Sequence, residues 1–284
     1  MATAKDIRRR IRTVKNIEKI TNAMKMVAAA RLRKAQERAE RARRYAEKIR
    51  QVMANLAAAA GEIEHPLLEV REENAVAFVV IGADRGLAGS YNVSVMARAT
   101  TEIGERDPDK VKMVLVGKKA VAFFRRRPYE IVERLEAPGS EISFASIRGV
   151  TGVVRSMFER GEVDAVYLVY AQFVSAVQQR PTVVRLLPIA RPSAEETGAA
   201  DFIFEPGARE LLGKLLPRYV DTQVYQALVE AQASEQGARM TAMSAATKNA
   251  GDMIDSLTLA YNKARQAAIT KEITEIVGGA ESLR

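Results

Sequence analysis

The chain has 284 residues, with no cysteine, no tryptophan and one histidine, and 44 Lys plus Arg stand against 35 Asp plus Glu. Without Cys there is no disulfide framework, thiolate nucleophile or zinc ribbon, and a single His cannot supply a histidine-rich metal site. No run of about 18 to 20 apolar residues could span a bilayer, and the start MATAKDIRRRIR has no apolar signal stretch, so a soluble intracellular protein without a cofactor is expected.

The net charge of +9 is unevenly placed. Residues 1–60 hold 17 basic and 5 acidic residues, residues 61–207 hold 18 and 21, and residues 208–284 hold 9 and 9. One segment therefore carries the whole surplus. Such a segment predicts contact with something negative, which could be nucleic acid, a membrane surface or an acidic protein collar.

From Ala4 to about Ala60 there is no Pro or Gly, and Ala, Arg, Lys, Glu and Met dominate; this composition predicts one long helix, roughly 85 Å at 1.5 Å per residue. Its second half carries a seam of Ala28, Leu32, Ala35, Ala39, Ala42, Ala46, Ile49, Met53, Leu56 and Ala60, spaced alternately four and three. That is the 3.5-residue period of a coiled coil, and alanines let a partner helix approach closely. The first half reads less regularly, through Ile7, Ile11 and Val14 and then Ile17, Ile20, Met24 and Val27. Residues 61–74, with His65 before Pro66, read as a linker in which His65 is a turn residue.

Residues 75–190 read as an α/β domain. Strand-like runs lie at 75–81, 111–116, 130–135, 165–173 and 182–189, with helical stretches at 91–105, 117–126 and 143–160. The alternation predicts a largely parallel, Rossmann-like sheet whose last strand joins through a hairpin. The loop GADRGLAGSYN at 82–92 follows a strand and precedes a helix, but its glycines match neither the dinucleotide fingerprint nor the Walker pattern. Asp84 and Arg85 there lack a nucleophile or base to complete a catalytic set, so an exposed contact loop is expected.

Residues 191–207 read as a loop, and 208–284 as a second shaft helix in which Pro217 is either a kink or a first-turn residue. Val220, Val224, Ala227, Ala231, Ser234 and Ala238 make one seam, and Ile254, Leu257, Tyr261, Ala264 and Ala268 another, with the helix expected to stop at Gly278 and Gly279. Gly237 and Gly251 inside it point to close packing or a bend. The two long terminal helices can pair antiparallel around the inserted domain, or each can pair with another chain.

The basic helix has few acids, only Tyr45 as an aromatic in the first 60 residues, and a seam too alanine-rich for a membrane-lying helix. A shaft inside an acidic ring remains. The segments IRRRIRTVKNIEKITNAMKMVAAARLRKAQ, DRGLAGSYN and SEQGARMTAMSAATKNAGDMIDSLTLAYNKARQAAITKEITEIVGGAESL together resemble the gamma-subunit family of the rotary F-type ATP synthase, bacterial type, over the whole chain. The resemblance implies a non-catalytic central-stalk rotor whose terminal helices form an antiparallel coiled coil inside a ring of alpha and beta subunits. Its α/β domain meets the epsilon subunit and the c-subunit ring. It also implies a peripheral position on the cytoplasmic face of the cell membrane, touching the membrane only through the complex, and no nucleic acid.

Residue roles follow from the same resemblance. Met24 and Lys25 look like shaft positions facing acidic beta loops, and Arg239 is similar to a shaft arginine that pairs with a beta carboxylate. Arg265 and Gln266, with Thr270, resemble a catch that hydrogen-bonds a beta loop, and Arg85 a second catch. Ile273, Ile276 and Val277 correspond to an apolar shaft tip, and Phe202 and Phe204 stand where relatives often place tyrosines near epsilon and the c ring. Ala88 replaces a cysteine found in many relatives, and the dithiol insertion of chloroplast members is missing, which excludes thiol switching. A nucleic-acid-binding coiled coil with an α/β module is the alternative, and a Rossmann-like enzyme a third reading.

Overall fold

The computed structural model describes residues 3–60, 64–139, 142, 144–190 and 207–281. The chain forms two compact units, Ala28–Arg239 and the pair of segments Met1–Val27 and Met240–Arg284. Helix α1 runs Ala4–Ala60 and helix α5 runs Ala208–Glu281. The predicted loop at 191–207, with Phe202 and Phe204, lies outside the described residues except for Gly207.

In the Ala28–Arg239 unit, strands β1 Val76–Ile81, β2 Val111–Val116, β3 Glu130–Leu135, β4 Ala165–Phe173 and β5 Gln179–Leu187 form one sheet in the order β3-β2-β1-β4-β5. Helices α2 Tyr91–Ile103, α3 Lys118–Phe124 and α4 Phe144–Glu159 are the crossovers. The first four strands are parallel, and β5 returns antiparallel to β4 through a hairpin in which Ser175 and Gln178 exchange backbone hydrogen bonds. β5 starts three residues earlier than the apolar pattern indicates. Gln179 and Arg180 are polar yet still complete the ladder, pairing with Phe173 and Gln172.

β1 is buried along its whole length, as expected of a parallel strand covered on both faces. On one face Val76, Phe78, Val80, Met113 and Leu115 meet α2 and α3 through Val95, Met96, Ala99 and Phe124. On the other, Ala77, Val79, Val114, Val166 and Leu168 share a core with α4, with Met53 and Leu56 of α1, and with the α5 residues Leu216, Val220, Val224, Ala227 and Ala231. The seam on α1 from Ala28 to Leu56 is buried as its spacing predicts, with Ile49 half-buried. One ion pair ties the two helices: Arg43 donates to the fully buried Glu230 at 3.2 Å, and Gln226 donates to the same carboxylate oxygen at 3.1 Å. Burial pushes the nearby Tyr170 phenol up, the Glu230 charge adds to that, and Arg43 opposes it.

α5 is also hydrogen-bonded to the sheet, because the Ser234 hydroxyl donates to the Ala171 carbonyl at 2.8 Å. A Cβ on Gly237 would stand 3.0 Å from the Ala176 carbonyl oxygen, so this glycine serves close packing against the β4–β5 hairpin. Pro217 lies inside α5, which begins nine residues earlier at Ala208, so it is not a first-turn residue. Its missing N–H removes a bond to the carbonyl four residues back. Gly278 does not stop the helix, which continues to Glu281. His65 caps the short turn Pro66–Leu68 by accepting from Leu67 N at 3.2 Å, and partial burial lowers its pKa, which keeps that acceptor nitrogen free of a proton.

In the Met1–Val27 and Met240–Arg284 unit, the helices run antiparallel. Arg8 donates to the Tyr261 hydroxyl at 2.9 Å, Glu18 lies opposite Gly251, and Thr247 donates to Thr21 at 2.8 Å, so the partner number falls as the α1 number rises. The α1 seam here differs from the expected one. Ile17, Ile20 and Val27 are exposed, whereas Glu18, Thr21 and Lys25 are half-buried. The four-three spacing continues strictly through positions 7, 11, 14, 18, 21, 25 and 28. Following the apolar residues slips the register by one, because the helical period, and not hydrophobicity, decides which side chains face the partner. On α5 the half-buried or buried line is Met243, Thr247, Ala250, Ile254, Leu257, Tyr261 and Ala264, and it ends there, since Ala268 is exposed.

Gly117 has φ +92°, and a Cβ on it would fall 2.5 Å from the Gly82 carbonyl oxygen. Gly117→Ala therefore adds a backbone clash to left-handed strain and lowers unfolding stability by about 3 kcal/mol. Gly152, in α4 with nothing within 4 Å of its Cβ position, gains up to about 1 kcal/mol on substitution by Ala. Denaturant midpoints of the two variants check this opposition of sign.

Candidate functional site

Hydrogen bonds fix both ends of the loop after β1. Gly82 N donates to Val116 O, Ala83 N to the Asn92 side-chain oxygen, and Tyr91 N to Ala88 O. Asp84 Oδ1 accepts from Lys118 N at 2.9 Å and Ala137 N at 3.2 Å, so one carboxylate joins the segments that follow β1, β2 and β3. Asp84 is thus a structural anchor for the loop. Leu87 follows with φ +61° and 63% exposure, a left-handed apolar residue at the surface. Such a conformation costs about 1 kcal/mol or more and persists because its neighbours hold it. Ala88 and Tyr91, which follow it, are buried.

Arg85 projects from this loop, exposed and without an ion pair among the described residues. Arg239 approaches the same loop from α5 and is 9% exposed. Its guanidinium pairs with Glu235 at 2.7 Å and donates to the Gly86 carbonyl at 3.1 Å. Its charge is therefore already engaged inside its own chain. The buried Tyr91 phenol beside it is pushed up by burial and by Glu235, with Arg239 opposing. Arg85 and Arg239 line one open cleft of about 400 Å³ with Arg31, Lys34 and Arg38 of α1. Sequence reading could have found Glu235, which is four residues before Arg239 on one helix face. The role of Asp84 gave no such signal, since its partners are backbone amides far along the chain.

The other expected contacts lie in the Met1–Val27 and Met240–Arg284 unit. Met24 and Lys25 are half-buried, Lys25 on the seam toward α5. Arg265, Gln266 and Thr270 are exposed and make no side-chain bond among the described residues, with Gln266 and Thr270 one turn apart. Ile273, Ile276 and Val277 are 56%, 72% and 55% exposed, an apolar surface at the α5 end with no α1 residue opposite it. The exposed Ile17, Ile20 and Val27 on α1, which sequence reading had placed in the seam, add an apolar stripe among basic residues. No cluster of His, Cys, Asp or Glu among the described residues could hold a metal ion, and no described helix is long and apolar enough to cross a membrane.

Comparison with known proteins covers the whole chain. The family described as ATP synthase matches residues 3–283. The ATP synthase gamma chains of Desulforamulus reducens and Pelotomaculum thermopropionicum are 50% and 48% identical, each aligned over all of both chains. Among solved structures, a chain of the Euglena gracilis mitochondrial ATP synthase, OSCP/F1/c-ring, superposes with TM-score 0.69 at 20% identity, covering 99% of this chain and 94% of that one. One from the central stalk/c-ring structure of the Tetrahymena thermophila enzyme gives 0.60 at 24% identity over 80% and 99%. These structures share the fold.

Removing the Asp84 carboxylate leaves two amides unpartnered. Asp84→Ala is expected to lower stability by about 2 kcal/mol, while Asp84→Asn, which keeps an acceptor oxygen, loses less than about 1 kcal/mol. Amide exchange at Lys118 and Ala137 checks the cause, rising in the Ala variant only.

Proposed function

The chain belongs to the ATP synthase gamma chain family, and from that membership we propose that it is the non-catalytic central-stalk rotor of a proton-translocating ATP synthase. It couples rotation of a c-subunit ring to ATP synthesis or hydrolysis at beta subunits. Alpha and beta subunits surround its shaft, and an epsilon subunit and the c ring meet its α/β domain. It sits at the cytoplasmic face of the cell membrane as a peripheral part of the complex. The observation that carries this reading is the end of α5, where Arg265, Gln266, Thr270, Ile273, Ile276 and Val277 are exposed on a helix that has outrun its intrachain partner. A helix of that kind is stable when something else covers it.

The physics of the shaft suits rotation. Alanine seams bring two helices close, and close packing resists twisting. Contacts with the surrounding ring must slide, and exposed Arg and Lys each worth about 0 to 1 kcal/mol per pair serve better than a few deep bonds. Because the two helices present different residues on each side, each rotor angle favours a different conformation of each beta subunit, which is a population shift driven by rotation. Arg85, Arg265, Gln266 and Thr270 are the exposed polar contacts of this scheme. Met24 and Lys25 contribute from the seam edge. Arg239 acts through the loop it holds, because its guanidinium is engaged by Glu235 and Gly86. The carboxylates nearest the α/β loop support the non-catalytic reading, since Asp84 is bonded to backbone amides and Glu235 to Arg239.

The isolated chain is expected to show no ATPase activity and to restore cooperative ATP turnover when mixed with alpha and beta subunits. Failure to co-purify with them, or turnover by the chain alone, would overturn the assignment.

A further inference from the structure

The cleft beside Arg85 gathers cations from α1, α5 and the loop after β1 around one opening. It lies outside the carboxyl ends of β1 and β3, bounded by the loop after β1, residues 137–139 after β3, α1 and α5. In open α/β sheets ligands are received outside the carboxyl ends of the strands. This cleft lies on the β2–β3 side of β1, and no described residue of the β4–β5 turn lines it. Among the described residues five cations line the cleft, Arg31, Lys34, Arg38, Arg85 and Arg239, against two carboxylates, Asp84 and Glu235, a surplus of three positive charges.

Both carboxylates are already used. Asp84 faces the amides of Lys118 and Ala137, and Glu235 holds Arg239. Arg31, Lys34 and Arg85 have no ion pair among the described residues, and they reach the cleft from two different elements. The inner wall is built in advance. Arg239 is fixed by Glu235 and the Gly86 carbonyl, and Gln232 donates to the Gly139 carbonyl at 2.5 Å, closing α5 onto the far loop. A cation held in place before binding, here Arg239, loses little freedom on meeting an anion. Among the described residues the lining contains no aromatic ring on which a base could stack.

We propose that this cleft binds a compact polyphosphate anion, recognised through its phosphate groups by Arg31, Lys34 and Arg85 around the fixed Arg239. Recognition is by side-chain cations, and the loop amides of Gly82, Ala83 and Tyr91 are already bonded within the chain. Guanidinium groups suit phosphate oxygens because each presents paired N–H donors, and an ammonium adds a point charge. The volume of about 400 Å³ falls in the range of small-molecule sites. The site goes beyond the rotor role and is tested without any partner subunit.

The experiment is titration calorimetry of the full chain with pyrophosphate, repeated with ADP and with a hexaglutamate peptide. Saturable binding of one pyrophosphate per chain is expected, weakening tenfold or more in the Arg31→Gln/Lys34→Gln variant and on raising salt through the range that screens exposed charge. Both positions are exposed, and an unchanged thermal midpoint of the variant shows that the fold is kept. Equal affinity for ADP and pyrophosphate would assign recognition to the phosphates alone, and tighter ADP binding would identify a nucleotide as the source of them. No saturable binding at millimolar pyrophosphate, binding indifferent to the double variant, or tighter binding of hexaglutamate would each overturn the proposal, the last in favour of an acidic protein segment.

Discussion

The constraint on which the structure depends is the line of seam positions that repeats every three and four residues on α1. In the Ala28–Arg239 unit that line is mostly alanine and is buried, which lets α1 and α5 share one core with α4 and the sheet. In the other unit the same spacing continues with Glu18, Thr21 and Lys25 in place of apolar residues. The energetic consequence differs between the units: firmly packed apolar contacts beside the sheet in the first, and lighter contacts through Arg8–Tyr261 and Thr21–Thr247 in the second. Hydrophobic burial of the first kind is worth about 25 cal/mol per Å², whereas exposed polar pairs add little.

Stability therefore concentrates where α5 meets the sheet. Ser234 bonded to Ala171, Gly237 set against Ala176 and the Arg43–Glu230 pair all lie within that stretch. Glu230 is fully buried and Arg43 half-exposed, so losing the arginine strands a buried charge, whereas losing the glutamate leaves a cation that water can reach. Farther along, the apolar residues Ile17, Ile20, Val27, Ile273, Ile276 and Val277 lie on the surface. A helix pair that buries its seam but leaves such stripes open is suited to being enclosed by other proteins.

Much of this could be read in the sequence because its signals are local or periodic. The alanine seam, the strand runs of β1 to β4 and the three crossover helices follow from spacing and composition, and the loop at 82–92 falls between β1 and α2 as read. What could not be read depends on contacts between distant segments or on register. Ile17 and Ile20 looked like seam residues because they are apolar, yet the period assigns the seam to Glu18 and Thr21. Pro217 looked like a kink or a first-turn residue and Gly278 like a stop, yet α5 runs through both. Arg239 stood out as a contact residue; its i,i+4 pair with Glu235 was legible in the sequence, but its bond to the Gly86 carbonyl required the fold to be seen. Arg31, Lys34 and Arg85 converge only because α1 and the β1 loop meet in three dimensions.

The central claim is that α5 ends as an uncovered helix made to be enclosed by the ring subunits. Amide hydrogen exchange along α5 tests it most directly, in the isolated chain and in the chain assembled with alpha and beta subunits. The account predicts strong protection across 216–239 in both states, with 267–281 exchanging fast alone and slowly in the assembly. Equal protection of 267–281 and 216–239 in the isolated chain, or no gain at 267–281 on assembly, would contradict it.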